Sequence, residues 1–287
     1  MPPLLTAPRR VVVAGDWHLH IAWALSVVRL LASLLPDESP RLILHAGDFG
    51  IWPGWLSTRY LNRLNQALAD ADAILWFVDG NHEDFGQLYA LAGDPATVDP
   101  VEVHERITWL PRGHRWSWHD RTWLALGGGV SVDRVKRTEQ VDWWSDEEIT
   151  PSQTRRVLAG GTADVMLCHD APSSVRLQLP PPASWWSHRD LARADNHRER
   201  LQAIVDQVRP SFLMHGHYHL AHDQVVEMAH GPVRVTGFDR EEAPCGNYRV
   251  LNVETMDYET IVPQQCSADA NSLVPYNAAP GSSRWIP

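Results

Sequence analysis

Five short blocks of the chain set carboxylate, amide and imidazole side chains beside glycine or at the end of an apolar run. They are Gly15-Asp16-Trp17-His18, Gly47-Asp48-Phe49-Gly50, Gly80-Asn81-His82-Glu83, Cys168-His169-Asp170 and His215-Gly216-His217-Tyr218-His219. Asp, Asn and His supply oxygen and imidazole donors that suit hard or borderline divalent metals. Asp16 and His18 stand two apart, as do His217 and His219, so on an extended segment each pair would project to one side. Glycine ahead of a donor group lets the backbone turn sharply. Taken singly, a strand-terminal Asp caps the next helix and a lone His fills a core. Capping alone does not account for five such blocks in one chain.

The elements that must position these blocks can be read from apolar spacing. Residues 10–14, 41–45 and 73–78 are short apolar runs, and each stops at one of the first three blocks. Helical patterns follow at 21–35, 59–71 and 83–91. A β-α-β rhythm of this kind implies parallel strands with crossover helices. In such a sheet, sites form at the carboxyl ends of strands. The middle of the chain changes character, with alternation at 115–119 and 122–126 around Asp120-Arg121 predicting an antiparallel hairpin. Helices are expected at 147–158 and 192–208, strands at 165–168 and 212–214, and late antiparallel strands at 225–235 and 248–253. Two sheets packed face to face, with helices outside each, accommodate this order.

The succession D-x-H, G-D, G-N-H-E, a lone H and G-H-x-H, spread from Val11 to His219, resembles the calcineurin-like metallophosphoesterase superfamily. The resemblance implies an α/β fold, a four-layer α/β/β/α sandwich of two mixed β-sheets flanked by helices. It also implies that Asp16, His18 and His219 bind one divalent metal, that Asn81, His169 and His217 bind a second, and that Asp48 bridges them. His82 matches the family histidine that contacts the phosphate or protonates the leaving group, with Asn81 beside it on the substrate. Two cations roughly 3.5–4 Å apart clamp phosphate oxygens and lower the pKa of a shared water. The expected reaction is therefore hydrolysis of a phosphodiester or phosphomonoester by a metal-bridging hydroxide, with Asp48 and His82 as the catalytic pair. Mn²⁺ suits the mixed donors first, with Fe, Zn or Mg as alternatives. The stretch from Gly127 to Arg137, followed by Trp143-Trp144, resembles one in a bacterial and phage subgroup, and Arg137 is a candidate for binding substrate.

Departures from the family pattern narrow the substrate. The protein Ser/Thr phosphatase branch has an arginine directly before G-N-H-E and a G-D-x-x-D-R-G second block. Here Asp79 precedes Gly80, and the second block continues Phe49-Gly50-Ile51-Trp52. Nucleotides or other small phosphate esters fit better than phosphoproteins. A non-catalytic scaffold of the same fold is the rival of a different class, and a nuclease is the rival within the superfamily.

The remaining composition sets bounds. The 287 residues, 44% of them hydrophobic, suffice for one large domain, expected over residues 1–262 with a Ser/Asn/Pro-rich tail at 263–287. No apolar run approaches the ~18 residues of a membrane span, and the first ten residues do not resemble a secretory signal, so a cytoplasmic setting is expected. A net charge of −10 disfavours a broad duplex-binding surface. It does not exclude nucleic acid as a partner, because bound cations would invert the local charge. The three cysteines are too scattered for a disulfide framework. His45 and Cys168 are expected in the core, and Asp170 either beside the site or capping the next segment.

Overall fold

The computed structural model describes residues 7–259, so the 263–287 tail lies outside the described residues. The chain runs β1 (Arg10–Ala14), α1 (Ile21–Leu34), β2 (Arg41–His45), α2 (Trp55–Asp70), β3 (Ala73–Phe77) and α3 (Phe85–Ala92). Next come β4 (Val101–His104), β5 (Ile107–Trp109), β6 (Arg115–Trp118), β7 (Arg121–Leu126), α4 (Pro151–Ala159) and β8 (Val165–Cys168). The last elements are α5 (His188–Val208), β9 (Phe212–His215), β10 (His222–Met228), β11 (Gly231–Gly237), β12 (Tyr248–Asn252) and β13 (Asp257–Tyr258).

Strand alternation divides the side chains among three cores. Val12, Ala14, Ile43, Leu75 and Phe77 face Val27 and Leu31 of α1, Leu64 and Leu68 of α2 and Leu88 of α3. Their sequence neighbours Val11, Val13, Leu42, Leu44, Ile74 and Trp76 face the other way, against Trp118, Trp123, Ala125, Val165, Leu167 and Met214. Leu124, Leu126, Met166 and Leu213 then point outward from the second sheet onto Val157 of α4 and Leu201, Ile204 and Val205 of α5. The result is the four-layer α/β/β/α sandwich. Burying a Val, Leu or Ile side chain contributes roughly 1.5–3 kcal/mol, so continuous apolar strands with both faces covered are the main stabilising feature.

A seven-stranded sheet has the order β13-β12-β1-β2-β3-β5-β4, and a six-stranded sheet the order β10-β11-β9-β8-β7-β6. The central pairs are parallel: β1 with β2, β2 with β3, β7 with β8 and β8 with β9. The carboxyl ends of β1, β2, β3, β8 and β9 carry the five blocks.

Several elements differ from expectation for identifiable reasons. The helix expected from 147 begins at Pro151, because Thr150 and Gln153 form a capping box around a proline at the first turn. The 192–208 helix begins at His188, where the Ser187 side chain accepts from Asp190 N–H. The single late run at 225–235 is two strands, β10 and β11, paired antiparallel about a turn at Ala229–His230. The short pair β4 and β5 had no alternation long enough to register. No helix among the described residues is long and apolar enough to cross a membrane.

Candidate metal centre

Asp16, Asp48 and His169 are fully buried or nearly so, Asn81 is 4% exposed, and His18, His82, His217 and His219 are half-buried at the same end of the two sheets. The convergence expected from two-residue spacing on extended backbone comes about differently. Asp16, His18, Asp48, His217 and His219 all adopt left-handed backbone, with φ of 48°, 41°, 52°, 70° and 50°. Non-glycine residues held there cost on the order of 1–3 kcal/mol each and cluster at functional sites. The turns also split His217 from His219. His217 lies beside His169, with ring centroids 4.9 Å apart, whereas His219 lies beside His18 at 5.0 Å.

Donor atoms gather in three overlapping sets, each with all atoms within 4.8 Å: Asp16, His18 and His219; His18, Asp48 and His82; and Asp16, Asp48 and His169. Asp48 belongs to two of the three sets, as do Asp16 and His18. Asp48 Oδ2 is 3.2 Å from His18 Nε2 and its Oδ1 is 3.4 Å from His169 Nε2. Asn81 Oδ1 lies 3.0 Å from His169 Nε2. His82 Nε2 stands 4.0 Å from Asp48 Oδ2, the oxygen that faces His18. Gly129 is where the Asn81 group needs room, because a Cβ there would meet His169 Cδ2 at 3.1 Å and Asn81 Oδ1 and His217 Cε1 at 3.3 Å. Gly47, at φ +92°, leaves the space that the His169 ring fills.

Proton bookkeeping tests whether these residues fit cations. His169 Nδ1 donates to the Ala46 carbonyl at 2.8 Å, which leaves Nε2 as a lone pair facing the oxygens of Asn81 and Asp48. His18 Nδ1 is held by Glu241 at 2.8 Å, which aims its Nε2 at Asp48. Ring nitrogens and oxygens set this close need a proton or a cation between them, and a second hydrogen bond of this kind is the usual way of orienting a metal-bound imidazole. The charges agree. Burial, reinforced by Asp48, pushes Asp16 well above the usual carboxylate range. Burial also pushes Asp48 upward, but the His169, His82 and His18 rings outweigh it and hold that carboxyl low. Burial lowers His82 and His217 each to about 4 and His219 well below its ordinary value, which leaves their ring nitrogens unprotonated near neutrality. The residues fit a pair of divalent cations.

Supporting groups lie around this cluster, and the sequence left the roles of several of them open. Glu83 is fully buried and staples two blocks together, accepting from Phe49 N–H at 2.6 Å, Gly50 N–H at 3.2 Å and Gly80 N–H at 2.5 Å. Asp170 sits behind His217, taking hydrogen bonds from Tyr218 at 2.6 Å and His197 at 2.7 Å. Asp79, notable in sequence only as a departure from the phosphatase pattern, receives Arg112 at 2.8 Å and Trp109 at 3.0 Å in the interior. Arg137, expected to bind substrate, grips Asp133 through Nε at 2.8 Å and Nη2 at 2.6 Å, although its charge still acts on His82. His45 packs between Trp17 and Phe49 in the core. Glu241 carries no motif and Ser131 stands out only as part of the Gly127–Arg137 stretch, so their three-dimensional partners are what reveal their roles.

The model of the calcineurin-like phosphoesterase family matches residues 9–242. The chain belongs to that family. Membership and the His/Asp cluster together support a metal-dependent phosphoesterase. No curated protein matches the chain. Among solved structures, the chain is similar to GAP50, described as the anchor in the inner membrane complex of Plasmodium. That likeness has 12% identity over 85% of this chain and 81% of the other, at a TM-score of 0.43. It is also similar to the sulfate thiohydrolase SoxB of Thermus thermophilus solved with glycerol, at 10% identity over 84% of this chain and 53% of the other, again with a TM-score of 0.43.

Proposed function

We propose that this calcineurin-like phosphoesterase hydrolyses nucleotides or other small phosphate esters at a centre of two divalent cations. Asp16, His18 and His219 would hold one cation, Asn81, His169 and His217 the other, and Asp48 would span both. The observation that carries the proposal is the division of the Asp48 carboxylate, one oxygen toward His18 at 3.2 Å and the other toward His169 at 3.4 Å. When bound, two cations neutralise a phosphate group and lower the pKa of a shared water. Mn²⁺ suits the mixed oxygen and nitrogen donors first, and a cytoplasmic setting forms part of the proposal.

The protein's own groups do the positioning. Asp48 Oδ1 accepts the His82 amide at 2.9 Å, which ties the backbone of the third block to the bridging carboxylate. His82 is partly exposed beside Asp48, and its pKa of about 4 makes it a neutral ring near pH 7. It would present an N–H to a phosphate oxygen while Glu83, at the next position, holds the loop. The ring of Trp52 lies 6.4 Å from that of His82, a flat apolar neighbour suited to a base or aryl group. With Arg137 committed to Asp133 and no phosphatase arginines, the site favours compact esters over a folded phosphoprotein.

Replacing Asp48 by Ala removes the shared ligand, so metal analysis of the purified variant should find both occupancies reduced. A variant that keeps two ions per chain would overturn the assignment. A panel of nucleotides, cyclic nucleotides and aryl phosphate esters tests the substrate class, and turnover of phosphoproteins alone would contradict it.

A further inference from the structure

A carboxamide bound to a cation has a problem that a carboxylate lacks: only one of its two ends is a ligand. Rotation of the Asn81 side chain by half a turn would point two N–H groups at the cation. Asn81 Nδ2 donates to Ser131 Oγ at 2.9 Å, and Ser131 Oγ donates in turn to Glu147 Oε2 at 2.6 Å. Ser131 N–H occupies the other carboxylate oxygen, Oε1, at 3.1 Å. All three side chains are buried, with Glu147 at 0%, Ser131 at 3% and Asn81 at 4% exposure. The serine has a single proton. While the Glu147 carboxylate takes it, the serine oxygen can only accept from Asn81, which forces the amide oxygen toward His169. Burial pushes Glu147 up to about 8 against the lowering effect of its Ser131 hydrogen bonds, and a cation at Asn81 Oδ1 favours the anionic form by simple attraction.

We propose that Ser131 and Glu147 are positioning residues that set the sense of the Asn81 amide and thereby the affinity of the Asn81, His169 and His217 metal position. The proposal rests on the two-metal reading above. It gives a role to the Gly127-Gly128-Gly129 segment as well. Gly129 makes room for the ligands, and the backbone then delivers Ser131 two residues later, anchored by Gly129 N–H to the Glu147 carbonyl at 3.0 Å.

The test titrates chelator-stripped protein with Mn²⁺ and reads stoichiometry and affinity by calorimetry, with circular dichroism as a check on folding. Wild type should take two ions. Ser131→Ala and the isosteric Glu147→Gln should each weaken one of them about 10–100-fold, the range for groups that orient a ligand, and leave the other unchanged. Ser131→Thr, which keeps the hydroxyl, should restore binding. The decisive readout is the Asn81→Asp background, where both ends of the side chain are oxygens. There Ser131→Ala should no longer weaken binding. Equal weakening in both backgrounds would show a merely structural role, and wild-type affinities in both single variants would likewise overturn the proposal while leaving the two-metal reading intact. A wild-type protein that binds no second ion would overturn both.

Discussion

His82 can serve either as an acid or as a phosphate contact, and its surroundings distinguish the two. Burial is the main cause of its lowered pKa, the nearby Arg137 and His18 charges add to it, and Asp48 opposes without prevailing. A ring at about 4 carries no spare proton near neutrality, whereas its N–H remains a hydrogen-bond donor. His82→Ala should therefore retain both metals and slow turnover about 10²–10³-fold, the usual loss for one donor to a developing charge. Nitrophenyl and alkyl esters should suffer alike. A loss confined to the alkyl ester would restore the acid role, and loss of a metal would make His82 a ligand. The backbone at Asp16, His18, Asp48, His217 and His219 belongs to the same scale. These strained turns, rather than strand alternation, aim the donors.

At the scale of elements, the loop after β7 has to be held against the end of β3. The buried Asp79–Arg112 pair does this, with exposures of 0% and 3%. Arg112 Nη1 also donates to the Glu148 carbonyl at 2.7 Å and Nη2 to that of Glu147 at 2.9 Å, so one guanidinium joins three segments. Breaking such a pair from one side leaves an uncompensated buried charge and costs about 3–5 kcal/mol. Arg112→Leu should lower unfolding stability by that amount in urea, and Asp79→Asn added to it should recover part of the loss. If Arg112→Leu costs under about 1 kcal/mol, within the range of a surface pair, the pair does not hold the loop.

For the whole molecule, stability should fall on acidification because the interior holds histidines as neutral rings. His45 is the cleanest example. It is fully buried, neither ring nitrogen has a hydrogen-bond partner among the described residues, and burial lowers its pKa well below the ordinary value. A folded pKa below the unfolded one gives stability that is present above the unfolded value of about 6.5 and lost as pH falls. The loss approaches about 1.4 kcal/mol per pH unit for one such group. His45→Leu, of similar size and without a titrating ring, should flatten the decline in denaturation midpoint between pH 7 and pH 5. A slope identical to wild type would remove His45 as a contributor.

The amino-acid order determined the strands and the chemistry they carry. Val11 to Ala14, Arg41 to His45 and Ala73 to Phe77 are short apolar runs that read as strands covered on both faces, and each stops near a glycine and a polar donor that interrupt the run. Donor types are local and chemically explicit, so the five blocks and the family they resemble were legible in one dimension. Boundaries such as His188 and Pro151 depended on capping hydrogen bonds, which periodicity does not encode. The orientation of each donor was decided only in three dimensions. Glu241 lies 223 residues from the His18 it orients, and Ser131 lies 50 from Asn81. A hydrogen bond acts over about 3 Å of space whatever the separation along the chain, so such partners leave no spacing to read. Which glutamate, serine or arginine serves the centre is therefore settled by the packing of the two sheets.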